Sequence, residues 1–152
     1  IDLMVGAKSD EQEIDWQVLL EKHLCLAVPK THPFAKRRVI DANKLDGERV
    51  LLLSRHEYPE YYKGVTQFFS ANAINAKIAG EFDGIESLRV ALEAGIGIAL
   101  VAEGSTVAEG IKLLKLKPQA APVSVAVGWR SDSSLDSISA AFVEDLKLAS
   151  SV

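Results

Sequence analysis

The run DGIESLRVALEAGIGIALV, Asp83 to Val101, reads as a helix, its stop and a buried strand in immediate succession. Asp83 and Glu86 have the spacing of a capping box, which predicts a helix from Gly84 to Ala94 with Leu88, Val90, Ala91 and Leu92 facing inward. Gly95 is placed to be the left-handed residue after that helix. Ile96 to Val101 then returns as a strand in which Gly97 allows close packing. A helix that turns straight into an apolar strand is an αβ unit, and the neighbouring sequence offers further units of the same kind without any internal sequence repeat.

Upstream, Asp41 can cap a short helix through Leu45 that Gly47 closes, and Arg49 to Leu53 is a strand. The polar and aromatic loop Ser54-Arg55-His56-Glu57-Tyr58 leads into Pro59 and a helix to about Asn72, with Tyr62, Val65, Phe68 and Phe69 at helical spacing and Asn72 as a left-handed terminator. Ala76 to Phe82 is a strand. Nearer the start, Ile1 to Ala7 is a strand, Lys8 to Asp15 a polar loop, and Trp16 to Leu20 and His23 to Val28 two further strands. Thr31-His32-Pro33-Phe34-Ala35 opens a helical turn, with Thr31 or His32 near the cap and Pro33 at its first position. Downstream, Ser105 can cap a short helix to Glu109, and Ile111 to Leu116 is a strand. Pro118 to Pro122 is a linker, and Ala121 to Arg130 is a long strand. Ser133 or Ser134 caps a closing helix with Leu135, Ile138, Phe142, Leu146 and Ala149 on one stripe.

This alternation predicts an α/β fold with a largely parallel sheet. The elements are unevenly shared. Residues 29–121 hold enough αβ units for a small domain, whereas 1–28 and 122–152 supply two or three strands and one helix, as if they were pieces of a second domain lacking its start. Two lobes joined by two crossing strands would have a cleft between them.

The 152 residues are 48% apolar and 25% charged, enough to bury a core and too apolar for intrinsic disorder. Seventeen Lys and Arg against 21 Asp and Glu leave a net charge of -4, which argues against a broad grip on nucleic-acid phosphates. Apolar runs such as Ile96 to Ala102 fall far short of the roughly 20 residues of a membrane-spanning helix, so a soluble chain with no membrane partner is expected. Cys25 has no second thiol for a disulfide or a metal, and its apolar setting predicts a buried, inert thiol rather than a redox sensor. A reducing, cytoplasmic setting fits. The chain opens at Ile1 with no initiator Met and no signal segment, and reads as an interior piece of a longer protein.

The order of motifs resembles the effector-binding domain of LysR-type transcriptional regulators. The resemblance rests on Ile1-Asp2-Leu3-Met4-Val5, on Leu24 to Val28 followed by Pro29-Lys30-Thr31-His32-Pro33-Phe34-Ala35, and on Ile40 to Leu45 with Glu48 to Leu52. It continues through Phe68 to Ala73, Ala94-Gly95-Ile96-Gly97-Ile98-Ala99-Leu100 and Val125 to Asp132, and so spans almost the whole chain. Ala102-Glu103 departs from the family's usual Pro-Glu. The resemblance implies a two-lobed fold like the type 2 periplasmic binding proteins, with mixed, mostly parallel sheets and an incomplete first lobe. Residues 1–28 with 122–152 would be subdomain I and 29–121 subdomain II. It also implies a helix-turn-helix, a linker helix and an opening βαβ segment before Ile1, the first of these being the parent's contact with DNA.

The same resemblance implies a small-molecule effector in the cleft and self-association of the parent as a dimer or tetramer, with the Tyr58 to Asn72 helix a candidate for the interface. Pro59-Glu60-Tyr61 looks like the family's loop-to-helix element that meets carboxylate effectors. The residues themselves supply a physical means: Pro59 starts a helix whose free N-H groups, at Glu60 and Tyr61, favour an anion, and Ser54 and Arg55 could add donors. Alternatively Tyr58, Tyr61 and Tyr62 simply cover the helix start and Arg55 is a solvated charge. His23, His32 and His56 read as structural or surface residues, and Lys36-Arg37-Arg38 as a solvated basic face. No nucleophile with a base, metal cluster or phosphate loop stands out, so neither an enzyme nor a cofactor is expected. A solute-binding protein of a transport system, with the same two-lobed plan, is the alternative.

Overall fold

A computed structural model describes residues 4–7, 14–105, 108–130, 141, 144 and 145. Its strands are β1 (Met4–Ala7), β2 (Ile14–Lys22), β3 (Leu24–Pro29), β4 (Val39–Asp41), β5 (Arg49–Leu53), β6 (Lys77–Phe82), β7 (Ile98–Ala102), β8 (Ile111–Lys117) and β9 (Val123–Arg130). Two α-helices, α1 (Pro59–Ala71) and α2 (Ile85–Glu93), and two short 3-10 helices, Pro33–Lys36 and Ala42–Leu45, complete the described elements. The chain divides into two compact units, 1–22 with 122–152, and 23–121.

In the first unit β9 lies between β1 and β2 and is antiparallel to both, with a register shift between Val18 and Leu20. β2 begins at Ile14, inside the stretch expected to be loop, because it pairs with β9 as far as Ile14↔Arg130. The expected closing helix falls largely outside the described residues; 141, 144 and 145 are helical.

The second unit is built on a six-stranded sheet in the order β4-β8-β3-β7-β5-β6. β4–β8, β7–β5 and β5–β6 are parallel, and β3 is antiparallel to both its neighbours, so the sheet is mixed and mostly parallel as expected. All six residues of β3 are buried, which explains the unbroken apolar run Leu24 to Val28. β3 thus lies in the larger unit, whereas the sequence grouped it with residues 1–22.

The helices cover opposite faces. Leu88, Ala91 and Leu92 of α2 form one core cluster with Leu51 and Leu53 of β5, Cys25 and Ala27 of β3, and Ala99 and Val101 of β7. Alternation along β5 turns Val50 and Leu52 to the other face, the one that α1 covers with Val65, Phe68 and Phe69. Val90, expected to face inward, is 62% exposed, because Leu88, Ala91 and Leu92 already make the full contact stripe of so short a helix.

Three local expectations are corrected. Gly84, not Asp83, caps α2 and makes no side-chain cap bond, while Glu86 pairs with Arg89 one turn on, so there is no capping box. Asp41 occupies the cap position of its 3-10 helix without a side-chain cap bond. The left-handed residue after α1 is Ala73 (φ 53), not Asn72; the Asn72 side-chain amide instead donates to the Phe68 carbonyl at 2.9 Å, and the Ala73 and Ile74 N-H groups donate to the carbonyls of Ser70 and Phe69. The proposed helix from Ser105 to Glu109 includes residues 106 and 107, which lie outside the described set.

Gly95 (φ 74) and Gly47 (φ 77) take the left-handed conformations read from the sequence. Gly97 has a different reason to be glycine: a Cβ there would sit 2.7 Å from the Arg49 carbonyl oxygen, where β7 meets β5. Gly97→Ala should therefore cost about 1–3 kcal/mol, whereas Gly64→Ala, in open space on α1, should gain about 0.5–1 kcal/mol. Urea unfolding at unchanged m-value will read both, and equal effects at the two sites would refute the account.

Candidate functional site

The site follows from the sheet order. β5 and β6 are parallel neighbours, and the chain leaves β5 for α1 on one face but leaves β6 for α2 on the other. Adjacent strands whose following segments part to opposite faces leave a crevice at their carboxyl ends, where α/β sheets bind ligands. An open depression of about 680 Å3 lies there, lined by Ser54, Arg55, His56, Tyr62 and Glu81.

Ser54 organises the loop that follows β5. Its N-H donates to the Phe82 carbonyl at 2.8 Å, its own carbonyl accepts from Tyr58 N-H at 2.9 Å, and its Oγ accepts from Glu57 N-H at 3.3 Å. That turn projects Arg55 outward, and its guanidinium lies 4.8 Å above the centre of the Tyr62 ring. Such stacking contributes about 0.5–1 kcal/mol at an exposed site and fixes the direction of the cation. Among the described residues no carboxylate pairs with Arg55. The Tyr62 hydroxyl donates to Glu81 Oε1 at 3.4 Å, and His56 is almost fully exposed, 3.9 Å from Glu57.

Of the five residues singled out by sequence, Ser54 and Arg55 line the depression; Pro59, Glu60 and Tyr61 do not. Pro59 is the first residue of α1, and the first i→i-4 bond runs from Tyr62 N-H to the Tyr58 carbonyl at 3.0 Å, so the N-H groups of Glu60 and Tyr61 precede the helical ladder. Tyr61 turns the other way. The β5–β7 ladder ends at Leu51↔Ala99, and the Tyr61 hydroxyl fills the gap beyond it, donating to the Leu100 carbonyl at 2.8 Å. Burial pushes its phenol well above the usual range, with the Leu53 N-H pulling weakly the opposite way. This tyrosine splices two strands.

Sequence reasoning missed Tyr62, Glu81 and His56. Tyr62 shares the helical spacing of Val65, Phe68 and Phe69 and so reads as core, and His56 reads as a surface loop residue. Glu81 becomes visible only through its register, Leu52↔Glu81, which carries it to the level of the loop after β5.

The other reactive side chains are accounted for by the fold. The Cys25 thiol is buried, donates to the Val101 carbonyl at 3.5 Å, and is pushed up from 9.0 to about 11 by burial and then by the Glu103 carboxylate. His32 Nδ1 accepts from Phe34 N-H at 3.1 Å and so caps the first 3-10 helix, while Nε2 lies 3.4 Å from Glu48. His23 Nδ1 is 3.4 Å from the Ala120 carbonyl. A smaller cavity of about 250 Å3 opens where β3 and β8 part, with Leu24, Cys25, Leu114 and Leu116 in its lining beside the polar His23, Glu103, Lys115 and Gln119. Among the described residues no three His, Cys, Asp or Glu side chains are grouped to hold a metal, and no helix is long and apolar enough to cross a membrane.

Fold and crevice together define a ligand-binding domain of the periplasmic-binding type. The family model of the LysR substrate binding domain matches residues 1–149, and the chain belongs to that family, whose members are sensor domains of transcriptional regulators rather than enzymes. The HTH-type transcriptional activator CmpR of Synechocystis sp. strain PCC 6803 is 25% identical over 107 residues, 70% of this chain and 34% of CmpR, so the chain spans about a third of that relative's length. The regulatory domain of CcmR from Synechocystis PCC6803, in complex with 2-PG, superposes with a TM-score of 0.84 at 17% identity, covering 98% of this chain and 73% of that one. The effector binding domain of QuiR in complex with shikimate gives 0.83 at 19%, covering 97% and 70%.

Tyr61→Phe keeps the ring but strips the hydroxyl from between β5 and β7, and should cost about 1–3 kcal/mol in urea unfolding. An unchanged midpoint would deny the splice. The raised Cys25 pKa contributes stability that is whole below pH 9 and lost as the pH climbs from 9 towards 11, because the unfolded thiol ionises first. The stability difference between the wild type and Cys25→Ala should accordingly change over that window and stay flat between pH 6 and 8.

Proposed function

We propose that this chain is the effector-binding and oligomerisation portion of a LysR-family DNA-binding regulator, and that its larger unit takes a small anionic metabolite, a carboxylate, at the depression after β5. The observation that carries the reading is Arg55: a guanidinium with no carboxylate partner among the described residues, held over Tyr62 at the crevice of a switch-point sheet. A charge-assisted hydrogen bond from it contributes about 1.5–3 kcal/mol. Ser54 sets the loop, and the start of α1 at Pro59, Glu60 and Tyr61, although outside the lining, brings the positive end of a helix dipole to the same end of the sheet. The ligand complexes of the CcmR and QuiR domains support a small-molecule effector.

In this reading, residues 23–121 are regulatory subdomain II and the remainder part of subdomain I. The parent is cytoplasmic and meets DNA through a helix-turn-helix outside this chain. The net charge of -4 supports that division of labour. Self-association of the parent is supported by apolar side chains left exposed on the larger unit, Ile78 on edge strand β6 (49%) among them. Effector binding that favours one arrangement of the paired domains by about 1–3 kcal/mol suffices to change DNA occupancy.

The test is Arg55→Gln in the full-length parent. Its effector response should shift to at least tenfold higher concentration with the melting temperature unchanged. A dose response identical to the wild type would remove Arg55 from the site. This chain alone should leave DNA unretarded on a gel at physiological salt.

A further inference from the structure

We infer that the effector is a hydroxylated monocarboxylate, and that Glu81 is the residue that selects it. The inference rests on the anion-binding reading of Arg55 and adds what the Glu81 carboxylate in the same depression demands. Among the described residues no aliphatic side chain lines that depression; its lining is Ser54, Arg55, His56, Tyr62 and Glu81. The face of Tyr62 is occupied by the Arg55 guanidinium, so it is not free to stack on an aromatic ligand from that side. An apolar body lodged here would desolvate polar groups and return no hydrogen bonds.

Glu81 fixes the second requirement. An ionised carboxylate only accepts hydrogen bonds. One oxygen is engaged by the Tyr62 hydroxyl at a long 3.4 Å, which leaves acceptor capacity facing the depression. A ligand anchored by its carboxylate at Arg55 satisfies Glu81 if its other end carries hydroxyl donors. A second carboxylate at that end would meet like charge. Glu81 therefore works in both directions, for hydroxyls and against dicarboxylates, while Tyr62 links it to the cation.

The experiment uses the full-length parent and three six-carbon probes in calorimetric titrations up to 10 mM: gluconate, hexanoate and adipate. Gluconate should bind at least tenfold more tightly than either of the others. Glu81→Ala should reduce that preference at least tenfold, Glu81→Gln should admit adipate, and Arg55→Gln should weaken every probe. If hexanoate or adipate binds as well as gluconate, or the Glu81 variants leave the ranking unchanged, while Arg55→Gln still abolishes binding, the selectivity is refuted and the anion site stands. If none of the three binds, or binding is indifferent to Arg55, both fall.

Discussion

A right-twisted parallel strand accepts its return helix on only one face of the sheet, and in the larger unit that constraint acts twice in opposite directions. From β5 the chain crosses outward through α1 to β6; from β6 it crosses back through α2, past β5, to β7. Right-handed connections running in opposite senses must lie on opposite faces. The segments that follow β5 and β6 consequently diverge, and the crevice between them is a by-product of sheet order. Both cores follow too, with Leu51 and Leu53 committed to α2 and Val50 and Leu52 to α1.

What fills the crevice depends on how the loop after β5 spends its polar groups. Ser54 uses backbone and hydroxyl to shape the turn, and the consequence is an Arg55 aimed outward that forms no ion pair among the described residues. Tyr61 and Tyr62 show the same economy one residue apart. A step of 100° around the helix sends Tyr61 into the gap where β5 and β7 separate and Tyr62 over the depression. One hydroxyl completes the sheet, and the other reaches Glu81. The depression is thus lined by Tyr62, while Tyr61 is spent on the sheet.

The αβ alternation, the strand Arg49–Leu53, the start of α1 at Pro59, its end beside Asn72 and the break near Pro122 were all legible because each is written in local chemistry. Hydrophobic period, Pro at a first helical turn and Gly at a left-handed position act within a few residues. The errors are equally local. Asp83 and Glu86 match a capping pattern, yet the cap fell one residue later at Gly84, leaving Glu86 to Arg89. Asn72 suits a left-handed turn, yet its amide found the Phe68 carbonyl first and passed the strained position to Ala73. In each case a side chain had two satisfactory partners, and packing chose between them.

The sequence by itself determined the class of fold, the family and two of the residues in the depression, because helix stops, buried strands and an arginine just past a strand need no distant partner to be read. Only the tertiary structure decided which tyrosine lines the depression and that Glu81 shares it with Arg55. Those facts depend on the rotation of α1 about its axis and on the β5–β6 register, where a one-residue slip would turn Glu81 to the other face of the sheet. Such long-range choices are made by the core as a whole, and no short stretch of sequence contains them.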